Sequence, residues 1–569
     1  MKHIVPLAAL GGIACAAAPG AEARQPNIIV ILSDDMGYSD IGCYGGIIET
    51  PNLDALAENG LRYTQFYNTA RSCPSRASLL TGLHPHQAGM GHMTDDRGEE
   101  GYRGEINDRC VTIAEALRPA GYSTMAVGKW HVSRSMTLDG PKYNWPLQRG
   151  FDRFYGTIMG GGSFYDPATL CRGNEFITPE NDPYYKPETF YYTDAIADNA
   201  VMMLNDHFRD NGDSPFFMYM AFTAAHWPMQ LPEEEVEPYY GRFDEGWDEL
   251  RRRKYDDMAA RGLISPEWAL SHDPSVGSWD DERHKEFETR CMEVYAGMVT
   301  RMDRNVGKVV ETLRRTGRLD NTIIIYLQDN GGCAEPMQRN RDPYTVSVPE
   351  GADMSPMGPD ELQTRLIPFK TRDGRPVWQG RVRAGGGDTY IGYGKKWAHL
   401  SNTPFREYKH WVHEGGIATP LIVHWPEGIA PKGEARHRPG QLMDIMATCL
   451  DVSGAEYPSE RNGRPVTPCE GVSLAPSFIR DDPGNERYLF WEHEGNRAVR
   501  SGRWKLVFKG DNNMTEDIPL EKWELYDMAT DRTETRDLAA EYPEKVKEMA
   551  ARWDQFALRC DVKPWPRQM

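Results

Sequence analysis

The sequence has no Cys-x-x-Cys pair, and its ten cysteines are scattered through 569 residues. That spacing argues against a thiolate zinc site and excludes a disulfide scaffold; one or two bridges at most are expected, with at least one thiol unpaired. Positive charge is also short: 65 Lys and Arg stand against 84 Asp and Glu, a formal charge of -19. A nucleic acid or an anionic membrane surface is therefore a poor partner. No apolar run is long enough to cross a bilayer, and no internal repeat or low-complexity tract occurs. What is present is the 40% hydrophobic and 11% aromatic content of an ordinary globular chain. The length predicts two or more folded units at about 150 residues each.

The N-terminus reads MKHIVPLAALGGIACAAAPGAEARQPN. Lys2 and His3 precede a short apolar stretch, and Ala21-Glu22-Ala23 has the small-x-small form of a signal-peptidase site. We expect residues 1–23 to be a leader and the mature protein to be periplasmic or secreted. Cys15 lacks the Leu three positions earlier that a lipoprotein site wants, so lipid anchoring is not expected.

Four apolar runs stop abruptly at polar residues. N-I-I-V-I-L-S meets Asp34-Asp35, S-T-M-A-V-G meets Lys129-Trp130-His131, P-F-F-M-Y-M-A-F-T-A-A meets His226, and N-T-I-I-I-Y-L-Q meets Asp329-Asn330. Near-continuous apolar strands belong to a sheet covered by helices on both faces. Helical patterns such as D-A-I-A-D-N-A-V-M-M-L and C-M-E-V-Y-A-G-M-V-T-R-M lie between them. The predicted class is α/β, a mixed, mostly parallel sheet flanked by helices, with ligands expected beyond the carboxyl ends of its strands. Any one polar cluster could be a simple turn; four together predict a shared site. Asp34, Asp35, Asp329 and Asn330 offer oxygen, which suits Ca²⁺ or, as second choice, Mg²⁺. Residues 230 to 290 and 334 to 400 are polar and read as loop-rich insertions.

The stretch A-R-S-C-P-S-R-A-S-L-L-T-G at residues 70–82 presents Ser72 and Cys73 as rival reactive side chains. A-S-L-L-T-G reads as a helix start, where free N–H groups favour an anion, and Arg76 adds a fork of donors for a tetrahedral oxyanion. The pattern Ser/Cys-x-Pro-Ser-Arg before A-S-L-L-T-G resembles the sulfatase signature, in the alkaline phosphatase superfamily. Alignment on Pro74 and Arg76 puts Ser72 at the position that this family oxidises to formylglycine, and leaves Cys73 a bystander. N-I-I-V-I-L-S-D-D-M-G-Y-S-D-I-G-C-Y-G-G, V-G-K-W-H, L-Q-D-N-G-G and N-T-P-F-R-E-Y-K-H-W-V-H-E-G-G-I-A-T-P-L-I-V-H-W-P resemble further family segments in the family's order. The resemblance runs from about Asn27 to the C-terminus.

The resemblance implies an alkaline-phosphatase-like fold and a sulfuric ester hydrolase of the serine type, matured by a dedicated formylglycine-generating enzyme. It implies metal ligation by Asp34, Asp35, Ser72, Asp329 and Asn330. It implies catalytic roles for Ser72, Arg76, Lys129, His131, His226 and Lys409. A hydrated formylglycine attacks sulfur, Asp329 assists its deprotonation, Lys409 and His226 meet the leaving oxygen, and His131 removes the proton from the second hydroxyl. Arg406 and Lys395-Lys396 remain cationic alternatives to Lys409. His84 and His86 read as structural. His493, Glu494, Asn496 and Arg497, in W-E-H-E-G-N-R, are either a polar turn or the lining of the substrate mouth.

The C-terminal part switches to hairpin patterns, R-Y-L-F-W and A-V-R-S-G-R-W-K-L-V-F, followed by W-E-L-Y-D-M and an amphipathic helix. We expect a catalytic domain over 24–485 and a smaller antiparallel sheet plus helix over 486–569. The expected substrate is a sulfated carbohydrate, cut from a chain end, or an aryl sulfate. A phosphomonoester or phosphonate hydrolase with the same metal core, and a catalytically silent glycan-binding protein, are the competing readings.

Overall fold

A computed structural model describes residues 24–510 and 518–565. The expected leader, residues 1–23, lies outside the described residues.

The central sheet is built on β1 (Asn27–Ser33), β2 (Leu61–Tyr67), β3 (Ser123–Lys129), β4 (Arg153–Thr157), β5 (Phe216–Ala221), β6 (Thr322–Gln328) and β7 (Ala418–His424). Their spatial order is β2-β7-β6-β1-β5-β3-β4, within an 11-stranded sheet completed by short edge strands. The five strands from β6 to β4 are all parallel, with Val30 beside Tyr219 on one side and Ile325 on the other. β7 runs antiparallel to both β6 and β2. Every residue of β1, β5, β6 and β7 is buried.

Strand alternation divides β1 between two cores. Ile29 and Ile31 join one cluster with residues of α1 (Pro51–Glu58), α3 (Tyr192–Asn211) and α4 (Lys285–Arg315). Ile28, Val30 and Leu32 join the other, with Leu79 and Leu80 of α2 (Ser72–Thr81) and Met446 of α5 (Met443–Ser453). Two covered faces explain why these strands carry almost no polar residue until they end.

The expected C-terminal meander is present. β8 (Tyr488–His493), β9 (Asn496–Ser501), β10 (Trp504–Phe508) and β11 (Glu524–Asp527) form a four-stranded antiparallel sheet. Val499, Leu506 and Leu525 pack on Val546, Met549, Trp553 and Phe556 of α6 (Pro543–Arg559). The opposite face sends Trp491, Ala498, Val507 and Tyr526 into the main core. A fully buried ion network fastens this junction: Lys505 meets Glu414 and Glu534 at 2.8 Å each, and Arg532 meets Glu414 at 2.7 Å.

One expectation is refined and one corrected. The 230–290 segment is loop-rich as expected, but within it Gly246–Ala260 forms a helix of 15 residues. The helix expected at A-S-L-L-T-G begins earlier, at Ser72 itself, with Pro74 accommodated in its first turn, where no intrahelical N–H is required. The nine described cysteines are all unpaired.

Candidate active site

The parallel strands β1, β3, β5 and β6 end at one edge of the sheet, and the polar residues that follow them converge there. Arg71 is the N-cap of α2 and Ser72 its first residue. The Ser72 hydroxyl donates to Asp329 Oδ2 and accepts from Arg76 Nε at 3.1 Å. Arg76, fully buried, also donates to Asp329 Oδ2 (2.8 Å) and the Lys129 carbonyl (3.1 Å), and lies 3.4 Å from Asp34 Oδ2. Lys129 Nζ contacts Asp34 Oδ2 at 2.5 Å. Asn330 Nδ2 donates to Asp35 Oδ1 at 2.8 Å, and Lys409 Nζ spans both oxygens of Asp35 at 2.8 and 3.0 Å. His226 Nε2 lies 3.5 Å from Asp35 Oδ2.

Charge within this cluster is arranged unevenly. Burial and the neighbouring Asp329 push Asp34 up to about 8 despite Lys129 and Arg76. Burial also acts upward on Asp35 and Asp329, but Lys409 and His226 hold the first below the usual carboxylate range, and Arg76 and Lys129 hold the second. Burial pulls Lys129 down, whereas the acids around Lys409 overcome burial and raise it. His226 is drawn down to about 4, chiefly by burial. Its Nδ1 sits 2.7 Å from the Trp227 carbonyl, which can only accept. The single proton of the neutral ring is therefore on Nδ1, and Nε2 faces the site as an acceptor. Burial and the surrounding cations hold His131 neutral as well.

Asp34 Oδ1, Asp329 Oδ1 and Asn330 Oδ1 are buried and have no hydrogen-bond partner. Three unsatisfied oxygens beside a raised carboxylate are costly in a protein interior, and a hard divalent cation relieves that cost. Asp34, Asp35, Asp329 and Asn330, with an oxygen at position 72, fit such an ion.

His131 has a left-handed backbone (φ 57°), and a Cβ at Gly160 would lie 1.9 Å from its ring. Glycine is thus required at 160 for the imidazole to occupy its place. Its Nδ1 has no partner. Cys73 points the other way, into the apolar core behind the sheet, with burial pushing its thiol to about 12.

The W-E-H-E-G-N-R residues separate. His493 and Glu494 sit at the tight turn between β8 and β9. Asn496 Nδ2 lies 3.4 Å from His410 Nε2, next to Lys409. Arg497 alternates to the other face and stacks over Trp553 of α6 at 4.4 Å, which favours a structural role for it over the lining of a substrate mouth. Of the cations considered in place of Lys409, Arg406 bonds Tyr526 and Glu524 in the C-terminal sheet, and Lys395 and Lys396 pair with Asp273 and Glu282.

Three contributors escaped the sequence reading. Glu335 is bonded by Trp227 Nε1 and Arg71 Nη1 at 2.8 Å each and lies 3.6 Å from Lys409 Nζ. Tyr219 Oη, on β5, is 3.4 Å from Arg76 Nη1. Arg71 stood beside Ser72 in the quoted stretch, and Glu335 followed L-Q-D-N-G-G within residues read as insertion.

A family model described as Sulfatase matches residues 26–455, and one described as N-sulphoglucosamine sulphohydrolase, C-terminal, matches 406–557. An arylsulfatase of Klebsiella aerogenes is 33% identical over 82% of this chain and 95% of its own. An N-acetylglucosamine-6-O-sulfatase of Bacteroides thetaiotaomicron is 26% identical over 96% of this chain and 88% of its own. The crystal structure of the PsFucS1 sulfatase from Pseudoalteromonas sp. superposes with a TM-score of 0.59 at 19% identity, over 96% of this chain and 92% of that one.

Proposed function

The chain belongs to the sulfatase family and is a sulfuric ester hydrolase, and from that premise we propose that it is exported and removes sulfate from the end of a sulfated carbohydrate, using formylglycine made from Ser72. One observation carries the reading. The Ser72 oxygen is held between Asp329 and Arg76 at the start of α2, beside three buried oxygens that lack any partner.

Asp34, Asp35, Asp329 and Asn330 would hold Ca²⁺, with Mg²⁺ as second choice. When bound, such an ion would supply positive charge to an anionic ester and lower the pKa of a neighbouring hydroxyl. Oxidised and hydrated, position 72 supplies a nucleophilic oxygen together with a second hydroxyl, which plain serine lacks.

The chain's own residues account for the rest. A sulfate monoester is anionic and the protein carries -19, so attraction must be local. Arg76, Lys129 and Lys409 provide it from buried positions, where charge acts with less screening. Lys409 stays protonated at neutral pH and is the proton-bearing cation for the leaving oxygen. His226, neutral with Nε2 as an acceptor, receives a hydrogen bond from the departing oxygen only once that oxygen has gained its proton, and acts as an acid only after gaining a proton itself. His131, neutral and with Nδ1 free of partners, is equipped to take the proton from the second hydroxyl.

Carbohydrate is preferred over a simple aryl ester because the B. thetaiotaomicron relative acts on an N-acetylglucosamine sulfate by its name and aligns over nearly the whole chain. Inserted segments also crowd the site: Gly161 lies beside His226 and Leu366. The test is a panel of mono- and disaccharide sulfates, an aryl sulfate and the matched aryl phosphate, with enzyme co-produced with a serine-type maturation enzyme. Turnover of a sugar sulfate above both aryl esters is expected. Faster cleavage of the phosphate would replace the reading with a phosphomonoesterase.

A further inference from the structure

A second group of ligand-type side chains lies beside the site and is not used by it. His92, His493 and Glu494 each place one donor atom within 4.8 Å of the other two. His493 is completely buried, and neither of its ring nitrogens has a hydrogen-bond partner. Its Nε2 is 3.7 Å from Glu494 Oε1, and His92 Nδ1 is 3.1 Å from the same oxygen. His92 Nδ1 is likewise buried without a well-formed hydrogen bond. Donors bound at about 2.0–2.1 Å around one tetrahedral ion stand roughly 3.3 Å apart, so this trio needs only small adjustments.

The surroundings resemble the outer support of a metal site. His410 Nδ1 lies 3.0 Å from the other Glu494 oxygen, Oε2, and fixes the carboxylate plane. Arg97 Nη2 donates to His92 Nε2 at 3.1 Å, and Asp95 Oδ1 lies 3.6 Å from the same nitrogen. Metal binding at Nδ1 moves the ring proton to Nε2, where Asp95 accepts it once Arg97, itself paired with Asp95, releases that nitrogen. Glu494 is held with a left-handed backbone (φ 48°) in the turn that aims it inward. Two nitrogens and one carboxylate oxygen favour a borderline transition ion over Ca²⁺.

We propose that His92, His493 and Glu494 form a second metal site, selective for Zn²⁺ or a similar transition ion, positioned by His410. It would staple three separate segments: the loop carrying His92, the β8–β9 turn, and the segment at 410. The backbone N–H of His410 donates to the Ala70 carbonyl at 2.8 Å, two residues before Ser72. The staple therefore braces the loop that presents the nucleophile position. The proposal stands on these side chains and not on the sulfate-ester reading.

The test uses full-length protein stripped with chelator and then saturated with Ca²⁺ to fill the oxygen site. Co²⁺ alone is titrated as the visible probe, and Zn²⁺ uptake is measured by elemental analysis. One equivalent of Co²⁺ with visible d–d absorption is expected, displaced by Zn²⁺. His493→Ala and Glu494→Gln should each weaken binding by about 100-fold or more, and His410→Asn by about 10- to 100-fold. Glu494→Gln keeps the turn, so it decides the matter if His493→Ala does not fold. No uptake by the parent protein, or uptake that both Glu494→Gln and His493→Ala leave unchanged, overturns the proposal.

Discussion

At the scale of single residues the account rests on position 72 and its neighbours. Ser72→Ala removes the only atom there that Asp329 and Arg76 share. Turnover should fall by about 10⁴-fold or more, as when a nucleophile is deleted, while the thermal midpoint stays near that of the parent. Lys409→Ala strips Asp35 of its cation and the leaving oxygen of its proton source, and should lower kcat/KM by about 10²- to 10³-fold. Asp34 links the cation to pH. Its folded pKa of about 8 exceeds the ordinary 3.8, so between those values the folded state binds the extra proton and stability falls as pH rises. Ca²⁺ replaces that proton, so in chelator-treated protein added Ca²⁺ should raise the melting temperature more at pH 8 than at pH 6. An equal rise at both would show that Asp34 is not a ligand. The convergence of the site was legible in the sequence wherever a polar side chain ended a strand. Glu335 was not, because its importance comes from Arg71, Trp227 and Lys409 meeting it in space.

At the scale of elements, the parallel strands were readable because both faces are covered and every position had to be apolar. The helix Gly246–Ala260 was hidden for the opposite reason. Its inner face includes Arg251 and Lys254 beside Trp247, Leu250 and Met258. Arg251 satisfies its donors on the carbonyls of His399, Ser271, Pro404 and Phe405. Charged residues on a buried face break the apolar period on which such readings depend. The antiparallel direction of β7 was equally illegible, since a strand's polarity is set by its partners. The junction of the C-terminal sheet makes a prediction at this scale. Lys505→Ala leaves Glu414 and Glu534 buried with one cation fewer, and urea denaturation should show a loss of about 3–5 kcal/mol. A loss below about 1 kcal/mol would mean that the network contributes little beyond the apolar packing.

For the whole molecule, the absence of disulfides among the described residues and the negative charge matter most. Nine described cysteines are unpaired, and all but Cys469 are buried, so the fold depends on its cores and ion networks rather than on covalent links. The melting temperature should be the same with and without reductant, a calorimetric comparison. A drop on reduction would reveal a bridge. The charge of -19 keeps the surface unattractive to anions, so the sulfate recognition proposed above falls to the buried cations at the sheet edge.

Everything else follows from the claim that position 72 works as an aldehyde-derived diol poised among fixed charges. Trypsin cleaving after Arg71 and Arg76 would release the five-residue peptide that carries it, and its mass can be read in the same preparation whose turnover is measured. The account predicts a peptide two hydrogens lighter than Ser-Cys-Pro-Ser-Arg, in a fraction that scales with activity across preparations. A fully active preparation in which that peptide keeps an ordinary serine would contradict it.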